Sequence, residues 1–469
     1  MALTSEWNVG SHAAEARQAR PFWDRHLPDE VVFRPEEGTV RVSSSETLLT
    51  VPLTAWGSAE RADAGDTEIP VLTLWVPDVR DAHGEALAAG VRLLSLPLVS
   101  SGRFRAVGPY GTTVEFAQMR PETLVSRLFT KTDTITPWAI RAAVTLRLPD
   151  LLAKRSLTVA EAAERTGTEP DALHRLLRLL AAHGILAEDA EGRFRGTALS
   201  EALREDHASG LVSALDLDSA QARIDQVSRE ILHSIRTGKP VYERVFGRPL
   251  WEDFAAEPRL SQSFQEWMSG KTTLLAPSVL AGYDWSEVRH VMDVGGGLGN
   301  LLAALVEGAP HLRGTLLELP ETAADAVGEL SKSLVADRIS VVGGSFFDPL
   351  PKDADTVVLY NVLVNWDNAA AIRILRRCAE AVGPDGRVLI LEGLPADTVG
   401  EDSGRAGGVL DDQRLLARID LLMLMLFGSK ERSLPEYAEL AATSGLAITS
   451  VSPTSSGVFV VECRAVDSP

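Results

Sequence analysis

The chain is poor in cysteine, in net positive charge and in long apolar runs, and each shortage closes off a class of protein. Cys378 and Cys463 are its only cysteines in 469 residues, which excludes a disulfide framework and favours a reducing, cytoplasmic setting. The net charge of −19 leaves no surplus of cations to neutralise phosphates. Neither a nucleic acid nor an anionic membrane surface is therefore expected as a partner. No uninterrupted apolar stretch approaches the ~18 residues of a membrane span, and the most tempting one, Leu421–Phe427, is far shorter. Met1 to Arg17 lacks the basic segment followed by an apolar one that marks a secretory leader. The nine histidines form no paired motif such as HExxH, and no metal is expected.

What is present divides into three segments, because a chain this long exceeds one ordinary hydrophobic core. Residues 1–118 read as short strands with a helix in each half. A helical stretch near His12–His26 precedes strands at Glu30–Phe33, Thr39–Val42 and Thr47–Val51. After the polar linker Gly57–Thr67 come Val71–Val76, a helix at Val79–Ala89, then Val91–Pro97, Phe104–Val107 and Thr113–Phe116. This is an α+β domain built on a βαβββ repeat. Residues 122–285 read as almost all helix: Pro137–Ala153, Thr158–Ala163 behind a threonine cap, and Ala172–His183. Ile185–Ala187 and Arg193–Arg195 then supply the two short strands of a winged helix-turn-helix. In residues 286–469, apolar runs at Val291–Val294, Arg313–Leu317, Ile339–Val342, Thr356–Leu359 and Arg387–Leu391 alternate with helices at Leu301–Ala309, Thr322–Ser331 and Ala369–Val382. Continuous apolar runs suit parallel strands buried on both faces. Ile448–Val451 and Val458–Glu462 add an antiparallel edge, so the fold class is multidomain α/β with a C-terminal doubly wound, Rossmann-like sheet.

The sharpest motif is Asp293-Val294-Gly295-Gly296-Gly297-Leu298-Gly299, which follows the first of these strands and opens a helix. Glycines let the turn tighten and a ligand approach the backbone. Glu318 ends the next strand, about twenty residues on, where a carboxylate can accept from both ribose hydroxyls. The pair indicates a nucleoside ligand and leaves NAD and S-adenosylmethionine both open.

A resemblance separates them. Tyr283-Asp284-Trp285 through Gly297 closely resembles bacterial members of the plant-type (caffeate-like) O-methyltransferase family. So do Ser345-Phe346-Phe347-Asp348-Pro349-Leu350-Pro351, Asn361 to Trp366 and Gly428 to Ser433, in family order over about residues 122–465. Thr237 to Glu243 is similar to the anthracycline-type subgroup and its hydroxylase relatives. The resemblance implies S-adenosylmethionine as cofactor, with Asp293, Gly295 and Gly297 lining its methionine part, Glu318 holding the ribose, and Leu319, Ser345 and Phe346 about the adenine. Ser345 departs from the aspartate usual there, although its hydroxyl can still accept. The resemblance also implies a homodimer, a helical dimerisation domain over 122–285, and a phenolic hydroxyl of an aromatic, polyketide-like product as methyl acceptor. Phe264, Met268, Trp366, Met423 and Phe427 are then candidate walls for that small aromatic substrate, and simple core packing is the alternative for each.

Many family members carry His-Asp-Trp where this chain has Val364-Asn365-Trp366, while the carboxylates beside that histidine persist as Glu392 and Glu431. Valine takes no proton. Either methyl transfer runs on proximity and alignment, with Asn365 bonding a substrate oxygen and Tyr242 as a proton shuttle (buried packing is the alternative for both), or the cofactor serves a non-methylating hydroxylase, decarboxylase or cyclase. A winged-helix transcription regulator is a further reading. Against it, the helix that would read DNA carries Leu173, Leu176, Leu177, Leu179 and Leu180, which need burial rather than a charged groove. Residues 3–118 resemble the vicinal oxygen chelate (glyoxalase and bleomycin-resistance) superfamily through Phe22 to Leu27, Val76 to Val79 and Gly108 to Phe116. Of its metal ligands only Glu115 is matched, with Val71 at a histidine position, so a metal-free binding or scaffolding domain is expected.

Overall fold

The computed structural model describes residues 31–34, 39–43, 48–52, 72–76, 78–94, 103–107, 113–118, 121–395 and 413–466. The chain folds as two compact units, essentially residues 3–138 with 182–184, and residues 139–181 with 185–469. The expected helix near His12–His26 and the Gly57–Thr67 linker lie outside the described residues.

In the first unit β1 (Val31–Arg34), β2 (Thr39–Ser43) and β3 (Leu48–Pro52) form an antiparallel meander. A second sheet runs β4–β6–β5, with β4 (Leu72–Val76) parallel to β6 (Thr113–Gln118) and β5 (Arg103–Val107) antiparallel to it. The helix Val79–Ala88 starts at Asp78, whose side chain accepts the N–H of Arg80 and Asp81. It buries Val79, Ala82 and Ala86 on the sheet, over the stacked rings of Phe104 and Phe116. The strand expected at Val91–Pro97 is reduced, within the described residues, to one bridge between Leu93 and Ala106. Glu115, buried on β6, accepts from Arg103 Nη1 at 2.6 Å and Arg105 Nε at 3.1 Å across the sheet.

The helical part of the second unit departs from expectation at one place. Instead of one helix over Pro137–Ala153 there are two, Ile135–Thr145 and Leu148–Lys154. Arg147 turns left-handed at φ 55° and Pro149, with no N–H to give, begins the next helix. Thr158 and Glu161 form a reciprocal capping box at the start of Val159–Thr166. The helix Pro170–Ala182 buries Leu173, Leu177 and Leu180 against β7 (Leu186–Glu188) and β8 (Phe194–Gly196).

Seven strands make the main sheet: β9 (His290–Val294), β10 (Arg313–Glu318), β11 (Ile339–Gly343), β12 (Thr356–Tyr360), β13 (Arg387–Gly393), β14 (Leu446–Pro453) and β15 (Val458–Ala465). Their order is β11–β10–β9–β12–β13–β15–β14, parallel through β13 and antiparallel beyond it. The helices Asn300–Gly308 and Pro320–Leu330 pack on one face; Asn368–Val382 and Leu434–Thr443 pack on the other. That double burial is why the inner strands are apolar throughout. Strand order reverses between β9 and β12, opening a crevice at their carboxyl ends where doubly wound sheets bind ligands. No helix among the described residues is long and apolar enough to cross a membrane.

Candidate active site

The crevice begins at the glycine loop. Gly295, Gly297 and Gly299 have φ of 74°, 60° and 81°, values that tolerate little but glycine. Gly295 N–H donates to Leu317 O at 2.8 Å, tying the loop to β10. A Cβ on Gly296 would lie 2.3 Å from Asp293 Oδ2, so the loop closes directly over the Asp293 carboxylate. Asp293 is 1% exposed and neither of its oxygens has a hydrogen-bond partner. Burial, helped by the charge of Glu318, pushes its pKa up to about 7. Glu318, at the end of β10, is also raised by burial, although it accepts the N–H of Leu319 at 2.6 Å and that of Gly297. Two desolvated carboxylates, one orphaned, converge on a loop stripped of side chains. They suit a ligand that brings positive charge and hydroxyl donors.

The crevice wall beyond β11 is aromatic. Phe346 lies 3.6 Å from where a Gly295 Cβ would stand, and Val362 lies 3.2 Å from it. Phe346, Phe347 and Trp366 meet edge to face, with centroids 5.0 to 5.6 Å apart. Ser345 Oγ accepts from Phe347 N at 3.2 Å, within its own turn. Leu319 is half exposed beside Glu318. The structure thus brings Trp366 together with Phe346, on the side of the glycine loop.

After β12 the chain enters a strained turn. Asn361 adopts φ 52°, and its carbonyl accepts from Asn365 Nδ2 at 3.1 Å. Buried Arg432 donates to Leu363 O (2.7 Å), Trp366 O (2.5 Å) and Asn368 Oδ1 (3.1 Å). Ser429 Oγ donates to Val364 O at 2.6 Å. Glu392, buried at the end of β13, accepts Val364 N–H at 3.4 Å. Burial raises the pKa of both Glu392 and Glu431, with like charge added by Glu431 on Glu392 and by Asp420 on Glu431. Glu431 Oε2 has no hydrogen-bond partner. Lys271, on the helix Pro258–Ala281, has its pKa lowered by burial and is opposed by the charges of Glu392 and Glu431.

Phe264 on the same helix lies 5.6 Å from Trp251 and 5.4 Å from Phe254, while Phe427 stacks on Trp251 at 5.7 Å. Met423 and Phe427, on the helix Gln413–Phe427, pack on the same cluster, and Met268 is half-buried one turn from Phe264. Tyr242 belongs to the core of that cluster. Its hydroxyl donates to Asp253 Oδ2 at 2.7 Å, and Asp253 is held by Arg223 at 2.6 and 3.1 Å. Burial pushes the Tyr242 phenol well above its usual range. Tyr242, Asp253 and Arg223 thus form one buried hydrogen-bonded chain.

Sequence reasoning missed Trp251, Lys271, Arg432 and the Arg223–Asp253 pair. A lone cation seven residues after Phe264 on an otherwise apolar helical stripe was the available signal for Lys271. The others depend on tertiary contacts that no local pattern announces.

Comparison with known proteins gives a consistent picture. Residues 229–447 match the model of the O-methyltransferase domain, and residues 132–206 that of the O-methyltransferase dimerisation domain. The chain is 43% identical over 334 residues to 2,7-dihydroxy-5-methyl-1-naphthoate 7-O-methyltransferase of Streptomyces carzinostaticus, covering 71% of this chain and 96% of that one. It is 42% identical over 318 residues to aclacinomycin 10-hydroxylase of Streptomyces purpurascens, covering 67% and 82%. Among solved structures, an O-methyltransferase from neocarzinostatin biosynthesis, in complex with S-adenosylmethionine and 2-hydroxy-5-methyl naphthoic acid, matches with TM-score 0.63 and 42% identity. That match covers 72% of this chain and 98% of the other.

Proposed function

The chain belongs to the O-methyltransferase family, and on that premise we propose that it methylates a phenolic hydroxyl of an aromatic, polyketide-like natural product. S-adenosylmethionine, when bound, supplies a methyl group carried on a positively charged sulfur. The observation that carries the reading is the orphaned Asp293 carboxylate under the glycine loop, acted on by the charge of Glu318, with Phe346 against Gly295 of the same loop. On this reading Asp293, Gly295 and Gly297 line the methionine part, Glu318 takes the ribose, and Leu319, Ser345 and Phe346 flank the adenine. Trp366 supports Phe346 from behind, a different place from the acceptor wall suggested by sequence. Phe264, Met268, Met423 and Phe427, with Trp251, enclose the flat acceptor. Asn365 presents its amide beside the acceptor and Tyr242 holds the helices of that wall. Val364 offers no base, so alignment supplies much of the rate.

Residues 122–285 serve dimerisation and substrate enclosure, and 286–469 hold the cofactor. Val125, Leu128, Phe129 and Ile135 stand more than half exposed, which together with the dimerisation-domain match supports a homodimer. Residues 1–118 form a vicinal oxygen chelate-like domain that binds without metal, in a cytoplasmic enzyme with no nucleic-acid partner. The grip of Arg103 and Arg105 on Glu115 supports the metal-free part, since a carboxylate neutralised twice is a poor cation ligand.

Incubation with methyl-labelled S-adenosylmethionine and a panel of naphthols, hydroxynaphthoates and anthracyclines tests the activity. Label in the product, with S-adenosylhomocysteine formed in equal amount, is the expected result. Oxygen incorporation without label would replace methyl transfer by the chemistry named for the 10-hydroxylase relative.

A further inference from the structure

The methyl acceptor must lose a proton, and the residue at the base position is Val364. Another ionisable group stands on the helix Pro258–Ala281. Phe264, Met268 and Lys271 follow at spacings of four and three, which puts them on one helical face. Phe264 meets Trp251 and Phe254 in the aromatic cluster. Lys271, two turns on, is half-buried and feels the charges of Glu392 and Glu431. Among the described residues it makes no direct ion pair or hydrogen bond with either. Glu431 Oε2 is likewise buried without a partner, and Glu392 receives only the long N–H contact from Val364. Lys271, Glu392 and Glu431 are therefore close enough to feel one another's charge without closing into an ion pair, on the side of the helix that carries Phe264 and Met268. Among the described residues, the other charged or titratable groups that act on this cluster are Asp420, Arg432, Tyr360 and Tyr437. Arg432 is committed to the carbonyls of Leu363 and Trp366, which leaves Lys271 as the cation able to serve a ligand.

We propose that Lys271 is the acceptor-ionising residue of this enzyme, holding the acceptor oxygen as a phenolate while Glu431 takes its proton. The inference rests on the methyltransferase reading of the site. In the step, the phenol O–H bond breaks and its electron pair stays on oxygen. A new O–H bond forms on the Glu431 carboxylate, and the negative charge that the ammonium feels passes from that carboxylate to the phenolate. Charge is conserved inside the cluster, so no ion is stranded in a desolvated space. A carboxylate raised toward neutrality by burial suits this role, because a base works best when its pKa lies near the operating pH. The arrangement selects for phenols of comparable acidity, those conjugated to a carbonyl or quinone, over simple alcohols.

The test reads ionisation rather than turnover. A chromogenic nitrophenol or nitronaphthol is titrated by absorbance, free and bound, with the full-length wild type, Lys271→Met and Lys271→Arg. Binding to the wild type lowers the apparent pKa of the probe by about one unit or more, a tenfold change in ionisation. Lys271→Arg retains most of that shift and Lys271→Met loses it. Calorimetry with S-adenosylhomocysteine confirms that each variant keeps a folded cofactor site. An unchanged shift in Lys271→Met, or failure of the wild type to retain the ionised probe, overturns the proposal. Ionisation that depends on Lys271 in a protein that methylates nothing would leave this proposal standing and refute methyl transfer. Methylation that survives in Lys271→Met with an unaltered titration does the reverse.

Discussion

Asp293→Asn isolates the energetic consequence of burying a carboxylate for a ligand's use. In the folded chain this carboxyl titrates at about 7 instead of the ordinary 3.8, burial contributing most and the charge of Glu318 the rest. Its folded pKa lies above its unfolded one, so between the two values the folded chain binds more protons. Stability then falls as pH rises through that window, and the loss is complete above the folded pKa. At about 1.36 kcal/mol per unit, the penalty at alkaline pH is roughly 4 kcal/mol. Asparagine cannot ionise and carries none of it. Urea unfolding of the ligand-free wild type and Asp293→Asn should therefore diverge with pH, the variant gaining about 3 kcal/mol relative to wild type between about pH 5 and 8. Calorimetry should show the opposite for function: the more stable variant binds S-adenosylmethionine less tightly, and wild-type binding strengthens as pH rises through about 7. Parallel unfolding profiles across pH would refute the argument that Asp293 is held desolvated and unpaired.

Glu318→Ala should weaken S-adenosylhomocysteine binding by about tenfold to a hundredfold in calorimetry, the value of one hydrogen bond to a charged group. Arg432→Met strands the carbonyls of Leu363 and Trp366 and should cost about 3–5 kcal/mol in denaturant unfolding; Arg432→Lys should rescue little, because one ammonium cannot span the fork. Val364→His should raise methylation by less than the ~10²-fold of a positioned base, measured under single-turnover conditions with one phenol.

The sheet was legible from sequence because its strands are buried on both faces and so read as unbroken apolar runs; Arg313–Leu317 became β10 and Arg387–Leu391 the body of β13. The glycine loop was legible because positive φ admits few other residues. Pro137–Ala153 misled because its apolar spacing continues through a left-handed Arg147, and helical periodicity does not register one backbone reversal. Trp366 closes the motif Val364-Asn365-Trp366, and its contact with the Phe346 ring is a tertiary one that no local pattern announces. Tyr242 illustrates the same limit. Its phenol was chemically able to relay a proton, and only the structure supplies Asp253 and Arg223, eleven residues ahead of it and nineteen behind.

The segment Asn361–Trp366 links the two halves of the site. Its first residue is strained, and its middle holds Val364, whose N–H meets Glu392 and whose carbonyl meets Ser429. Its last residue braces the aromatic wall beside the glycine loop. Arg432, next in sequence to Glu431, clamps the carbonyls of Leu363 and Trp366 at once. None of these restraints passes through the side chain of Val364. The position can therefore change from a base to an apolar residue without loosening either the cofactor wall or the two carboxylates, because main-chain bonds fix the segment. What changes is only which group meets the acceptor proton. In this chain Glu392 still meets the Val364 N–H, and Glu431 still stands beside the arginine that clamps the turn.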